Sequence, residues 1–270
     1  DLILPATTIV ETEEGTLVSR IYQENRELVF ISQVPEHVQN AFVAVEDVRF
    51  FAHAGVDFQS VIRAIYRDIV ALDKVEGAST ITQQLAKNLF LDNDKTWMRK
   101  TKEVMASIYL ERHFTKKEIL ELYMNEVYFA HGIYGVNTAS KYFFEKPVED
   151  LSVSEGAMLA GLVKAPNNYS PYIDSIRAKE RRDIVLSQME KAGMLETDEL
   201  LTLQGKTLGI VDQKTEEKPW LDDYLDIVIR EAKDMYQLST AELKRGGYRI
   251  TVNLNEGAQK IAYQELQNDT

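Results

Sequence analysis

The stretch Pro35-Glu36-His37-Val38-Gln39-Asn40-Ala41-Phe42-Val43-Ala44-Val45-Glu46-Asp47 sets the character of the chain. Val38, Ala41, Phe42 and Val45 recur at i, i+3, i+4 and i+7, the spacing by which a helix buries one face. A comparable apolar stripe follows at Val61, Ile62, Ile65 and Ile69. Thr115-x-x-Glu118 and Ser152-x-x-Glu155 have the form of capping boxes, in which hydroxyl and carboxylate each satisfy one orphan backbone N–H. Ala157 and Gly161 lie one turn apart and would let another backbone approach closely. These signals predict a helical body from 35 to 204.

Outward from that body the style changes. Residues 1–34 read as extended, with short β-like runs at Thr16–Tyr22 and Leu28–Ser32. Beyond 204, Leu221, Tyr224, Leu225, Val228 and Ala232 mark an amphipathic helix. Gly246-Gly247 breaks the chain, Tyr248–Asn253 alternates like a strand, and Asn255–Gln267 reads as a helix. The expected division is a body at 35–204, flanked by a smaller mixed piece built from 1–34 and 205–270.

The chain has 270 residues, 44% of them hydrophobic and 27% charged, which specifies a folded core. A formal net charge of −12 disfavours a general nucleic-acid binder. The absence of cysteine excludes disulfides, thiolate metal sites and thiol nucleophiles. No apolar run approaches the ~20 residues of a membrane span, and no signal peptide is visible. The opening Asp1-Leu2-Ile3-Leu4-Pro5 carries no initiator Met, so an excised fragment is expected.

Four segments offer chemistry. Glu46 lies one turn after Phe42 at the edge of the apolar stripe, where partial desolvation would raise its pKa and suit it to general-base work. The alternative is a solvated helix-end acid paired with Arg49, and His53 alone reads equally as a structural histidine. Glu76–Asn88 places small residues before Ser79, Thr80, Gln83 and Gln84, either a capped helix start or a segment presenting N–H groups to an anion. Residues 87–102 hold Lys87, Lys95, Arg99, Lys100 and Lys102 against Asp92 and Asp94, a local net charge of +3. Arg99 and Glu103 at i, i+4 are either an exposed ion pair or part of a phosphate clamp. Phe90, Leu91, Trp97 and Met98 interleave with these cations, the composition of an interfacial membrane contact or of ordinary core. The nucleophile-elbow, zincin, Walker and penicillin-reactive transpeptidase signatures are absent.

In this order and spacing the segments resemble family 51, the glycosyltransferase domain of bifunctional (class A) penicillin-binding proteins. Glu46–Gly55 is similar to E-D-x-x-F-x-x-H-x-G, and Gly77–Asn88 to G-[GA]-S-T-[IL]-T-Q-Q-x-x-K-N, with Ala78 where a second glycine is usual. Arg99–Glu103 is similar to R-K-x-x-E. Lys116–Asn125, with its lysine offset by one, resembles K-x-x-I-L-x-x-Y-x-N and is followed by Tyr128, Gly132 and Gly135. Leu151–Pro171 resembles the last family segment. His131 and Tyr134 flank the glycines in a variable region. Gly246–Asn255 looks like the linker that precedes a transpeptidase domain, and Leu4-Pro5 like the segment after a transmembrane anchor.

The resemblance implies a mainly α, lysozyme-like two-lobed glycosyltransferase fold with a small α/β linker piece. It implies transfer of a growing glycan from undecaprenyl pyrophosphate onto lipid II, with inversion, at the outer face of the bacterial cytoplasmic membrane. Glu46 is then the base and Glu103 the second functional carboxylate. Asp47, Phe50, His53, Ser79, Thr80, Gln83, Gln84, Lys87, Asn88, Arg99, Lys100, Tyr123 and Asn125 are the expected substrate-binding set. Phe90, Leu91, Trp97 and Met98 are the expected membrane contact, on a segment, 90–98, expected to be mobile in the free protein. No metal ligand is assigned, although a divalent cation (magnesium or manganese) at the pyrophosphate is admitted. The expected partners are lipid II, the glycan chain, the membrane surface, moenomycin-type inhibitors and other cell-wall synthesis proteins, and no nucleic acid. The rival readings are a lytic muramidase-like hydrolase, which would need two carboxylates about a glycosidic bond, and a non-catalytic scaffold that binds lipid II or glycan.

Overall fold

A computed structural model describes residues 4–62, 79–90, 97–212 and 218–268. The chain divides into two compact units, residues 28–210 and the paired terminal segments 1–27 and 211–270.

In the larger unit the stripe around Phe42 becomes α1 (Glu36–Glu46), with Val38, Ala41, Phe42, Val43 and Ala44 buried. It is followed by α2 (Ile81–Phe90), α3 (Trp97–His113), α4 (Lys116–Glu126), α5 (Val136–Phe144), α6 (Val153–Leu162), the single turn α7 (Pro166–Tyr169), α8 (Ser175–Lys191) and α9 (Thr197–Gln204). Thr115 and Ser152 close the capping boxes at the starts of α4 and α6. Nine successive residues of α6, Ser154–Leu162, are buried, so this helix is core on every side. Its glycines set how closely neighbours pack. A Cβ on Gly156 would come within 2.9 Å of Val38 Cγ2 on α1, and one on Gly161 within 3.1 Å of Arg181 Cγ on α8. The close approach expected at Gly161 is made by α8: beyond the arginine stem, the backbone carbonyl carbon of Arg181 would lie 3.6 Å from that Cβ.

The unit begins and ends about six residues outside the expected 35–204, for identifiable reasons. Asn125 accepts from Val29 N (2.9 Å) and donates to Val29 O (2.8 Å), and Glu121 accepts from Ile31 N (2.7 Å). Residues 29–31 are thereby fastened to α4, and the strand read at Leu28–Ser32 is replaced by a 3-10 turn at Ile31–Gln33. At the other end the fully buried Arg182 guanidinium donates to Lys206 O (2.9 Å) and Ser154 Oγ (2.7 Å), drawing residues past α9 onto α6 and α8.

The smaller unit holds a three-stranded sheet of order β2-β1-β3, made of β1 (Thr8–Thr12), β2 (Leu17–Ile21) and β3 (Arg249–Val252). β1 runs antiparallel to β2 and parallel to β3, with Ile9 opposite Arg249. Helices α10 (Asp222–Tyr236), α11 (Thr240–Arg245) and α12 (Glu256–Asn268) complete it. Val10, Val18, Ile21, Leu221, Val228, Ala232, Leu243 and Val252 form its core. Among the described residues no helix is long and apolar enough to cross a membrane.

Candidate functional site

Glu46 is the last residue of α1 and stands on a cleft of about 890 Å³. Ser79, Thr80, Gln84, Lys87, Asn88, Tyr128, Lys164, Arg181 and Lys191 share that cleft with it. Burial raises the Glu46 pKa. The hydrogen bond from Gln84 and the positive charges of Arg181 and Lys164 oppose the rise, and the charge of Asp47 adds to it. The carboxyl is therefore more basic than an exposed glutamate and still faces cations.

The Gln84 amide is oriented from behind. Its Nε2 donates to Glu46 Oε2 at 2.9 Å, while its Oε1 accepts from Tyr123 OH at 3.3 Å. Tyr123 is fully buried, and its phenol is raised well above the ordinary value by desolvation and then by Glu46 and Asp47. It remains protonated and donates to the amide oxygen, which leaves the amide N–H directed at the Glu46 carboxylate. Lys87 and Asn88 follow Gln84 at i+3 and i+4, so α2 presents all three on one face.

Asp47, next along the chain, turns away from the chemistry. Its Oδ2 accepts from Ile81 N (3.1 Å), capping the start of α2, and from His53 Nε2 (2.9 Å). His53 must carry its proton on Nε2 to make that bond. Phe50 is fully buried, with Lys116 Nζ 4.4 Å above its ring centroid.

The structure separates the expected substrate-binding residues into three groups. Ser79, Gln84, Lys87 and Asn88 line the cleft, with Asp47 and Thr80 in its wall. Thr80 and Gln83 are chiefly a cap: Thr80 N donates to Gln83 Oε1 (3.0 Å), Gln83 N donates to Thr80 Oγ1 (3.1 Å), and the Thr80 hydroxyl donates to Gly55 O (2.6 Å). Phe50, His53 and Tyr123 lie behind the cleft wall. Asn125 does not line the cleft: its Oδ1 accepts from Val29 N, and its Nδ2 donates to Val29 O and Glu121 O. Lys100 bridges Glu103 and Ser79, donating to Ser79 Oγ at 3.1 Å and pairing with the buried Glu103 carboxylate. Arg99 precedes Lys100 on α3 and is not among the cleft-lining residues.

Lys164 and Arg181 were not singled out from the sequence, and Tyr128 was named only as following the fourth motif, with no role in the site. Lys164 sits inside the Leu151–Pro171 segment and was available there. Arg181 is 7% exposed, with Nε donating to Gly161 O at 3.2 Å. Gly161 was the signal, because it leaves room for the arginine stem.

Of the expected membrane residues, Phe90 is 47% and Met98 68% exposed. Leu91 and the side chain of Trp97 lie outside the described residues, as does most of the segment expected to be mobile. α3 also exposes Met105, Ile108 and Tyr109, which share a face with Met98 at helical spacing. Among the described residues no group of three His, Cys, Asp or Glu is placed to hold a metal ion.

A family model described as Transglycosylase matches residues 14–190. The chain is 52% identical over 266 residues to penicillin-binding protein 1F of Bacillus subtilis (strain 168), an alignment covering 98% of this chain and 37% of that protein. It is 40% identical to penicillin-binding protein 1A of Aquifex aeolicus (strain VF5), covering 97% of this chain and 36% of that one. With penicillin-binding protein 1A of Escherichia coli (strain K12) it shares 35%, covering 100% and 31%. The chain thus spans about a third of the length of the curated relatives it matches. Its fold is similar to a crystal structure of penicillin-binding protein 1A from Haemophilus influenzae, with a TM-score of 0.54 and 21% identity over 98% of this chain and 29% of that one.

Proposed function

The chain belongs to the transglycosylase family, and on that premise we propose that it is a peptidoglycan glycosyltransferase that polymerises lipid II through Glu46. The observation that carries the reading is a carboxyl raised by burial and oriented by Gln84, in a cleft that also carries Lys87, Lys164, Arg181 and Lys191 and whose other carboxylates, Asp47 and Asp57, are engaged by their own partners. The acceptor 4-hydroxyl attacks the donor C1 and gives its proton to Glu46. The C1–O bond to pyrophosphate breaks on the opposite face, and the anomeric centre inverts. An alcohol is a weak nucleophile at neutral pH, so a base above the ordinary carboxylate range is suited to the step. Lys87, Lys164 and Arg181 receive the charge that develops on the leaving pyrophosphate. Lys100, held by Glu103 at Ser79, adds a further cation at the cleft edge. Glu103 acts by holding Lys100.

A two-carboxylate hydrolase is less well supported. Asp47 is committed to His53 and Ile81 N. Asp57 accepts from Ser60 Oγ and from the backbone N–H groups of Gln59 and Ser60. Neither is free to stand opposite Glu46.

We infer that the reaction takes place at the outer face of the cytoplasmic membrane; the exposure of Phe90, Met98, Met105, Ile108 and Tyr109, which would meet the lipid surface, supports this reading. The test is competition. A moenomycin-type inhibitor, which carries a phosphoglycerate-linked oligosaccharide, should displace fluorescent lipid II from the chain, and Lys164→Ala and Arg181→Lys should weaken both ligands. Binding of lipid II that neither the inhibitor nor these substitutions alter would remove the cleft from the account.

A further inference from the structure

The segment Tyr128–Tyr134 is not used by the reaction and is built at a cost. Ala130, His131 and Gly132 have φ of +72°, +51° and +73°, and Ile133 N closes the turn on Ala130 O at 2.8 Å. Two successive positive-φ residues at the tip of a hairpin normally call for Asn-Gly. Here the first is His131, and a strained backbone held in this way points to a use for the side chain.

The His131 ring lies within 5.6 Å of Tyr142 in a stacked arrangement and 5.9 Å from Tyr172, edge to face. Tyr142 and Tyr172 are 5.8 Å apart, and the buried Phe143 stacks under Tyr172 at 5.5 Å as a base. Tyr128 and Tyr134 form a second pair, 5.0 Å between centroids, on the two arms of the same hairpin. His131, Tyr134, Tyr142 and Tyr172 all keep contact with solvent.

This platform is joined to the cleft at two points. Tyr128 is itself a cleft residue. Pro166, also on the cleft, opens α7, and Ser170 immediately after α7 meets His131 Nε2 at 2.8 Å. Ring faces edged by hydroxyls are what a pyranose chain requires: its axial C–H faces stack on the rings and its hydroxyls meet the phenols. A pyrophosphate would instead need the cations that line the cleft.

We propose that Tyr128, Tyr134, His131, Tyr142 and Tyr172 form a glycan-binding surface continuous with the cleft. It holds lipid-free saccharide units of a β-1,4-linked amino-sugar strand beyond those undergoing reaction. The identity of the strand as the enzyme's own glycan rests on the function proposed above.

The test uses uncrosslinked cell-wall glycan strands and chitin hexasaccharide as probes, titrated by NMR against the chain carrying Glu46→Gln so that no turnover intervenes. Tyr142→Leu and Tyr172→Leu should each weaken binding about three- to tenfold, and Tyr142→Phe, which keeps the ring, should stay within about twofold of the parent. His131→Asn is the control for folding: asparagine favours the left-handed turn, so the variant should melt no lower than the parent and yet bind less. In the chain with Glu46 intact, the same substitutions should shorten the glycans while leaving the initial rate unchanged. Equal strand binding by parent and leucine variants, or no binding by the parent at millimolar probe, overturns the surface. Strand binding that depends on these rings in a chain that makes no polymer would retain the surface and overturn the reaction. Polymer formation with ring-independent binding does the reverse.

Discussion

Glu46 is asked both to lose its water and to stay reactive. Desolvation raises its pKa, and the Gln84 hydrogen bond with the charges of Arg181 and Lys164 limits the rise. For activity, the acid limb of kcat/KM should lie above the ~4.3 of an ordinary glutamate. Gln84→Leu removes the largest of the opposing effects, so it should move that limb to still higher pH in a rate–pH profile. For stability the sign is fixed by linkage. A carboxyl whose folded pKa is raised binds its proton more tightly in the folded protein, so its contribution is present at low pH and fades as pH rises through the folded value. At neutral pH the ionised Glu46 is therefore a cost, and Glu46→Gln should raise the melting temperature in calorimetry while lowering polymerisation at least about 100-fold. Asn125 makes the opposite trade. Asn125→Leu should cost about 1–3 kcal/mol in denaturant unfolding, by orphaning Val29 N and O, and leave lipid II affinity unchanged in the fraction that folds.

Among the elements, those with local causes were legible. The stripe of α1 and the capping boxes of α4 and α6 were read where they occur, because periodicity and a hydroxyl–carboxylate pair three residues apart are properties of adjacent sequence. Thr80-x-x-Gln83 is the same device with an amide, and the motif resemblance drew it toward substrate when the backbone needed it first. β1 was not resolved as a strand: it is the centre of its sheet, and one of its two partners, Arg249–Val252, lies some 240 residues away. Arg181 was missed for a similar reason: its burial depends on Gly161, in another helix. The α6 glycines give the sharpest test at this scale. Gly156→Ala pushes a methyl against Val38, on the helix that ends in Glu46, and should destabilise the chain by about 1–3 kcal/mol in urea unfolding.

For the whole molecule, a net charge of −12 coexists with a cleft that carries Lys87, Lys164, Arg181 and Lys191. A net charge of −12 gives the chain as a whole no long-range attraction to an anionic bilayer, so the proposed membrane contact is assigned to the apolar face of α3. Met98→Ser with Met105→Ser should reduce sedimentation with anionic vesicles several-fold, and unchanged sedimentation would place the membrane face elsewhere. The division into two units has its own consequence. Val10 is fully buried in the core of the smaller one, so Val10→Asp should unfold that unit while Leu28–Ile210 keeps its helical signal in hydrogen exchange.

The central claim is that Glu46 is the base for glycan polymerisation, and the direct measurement is gel analysis of labelled lipid II incubated with the chain and with its Glu46→Gln variant. Glycan ladders are expected from the chain and none from the variant, although the variant still binds lipid II and melts higher. Ladders of near-equal intensity from both would contradict it.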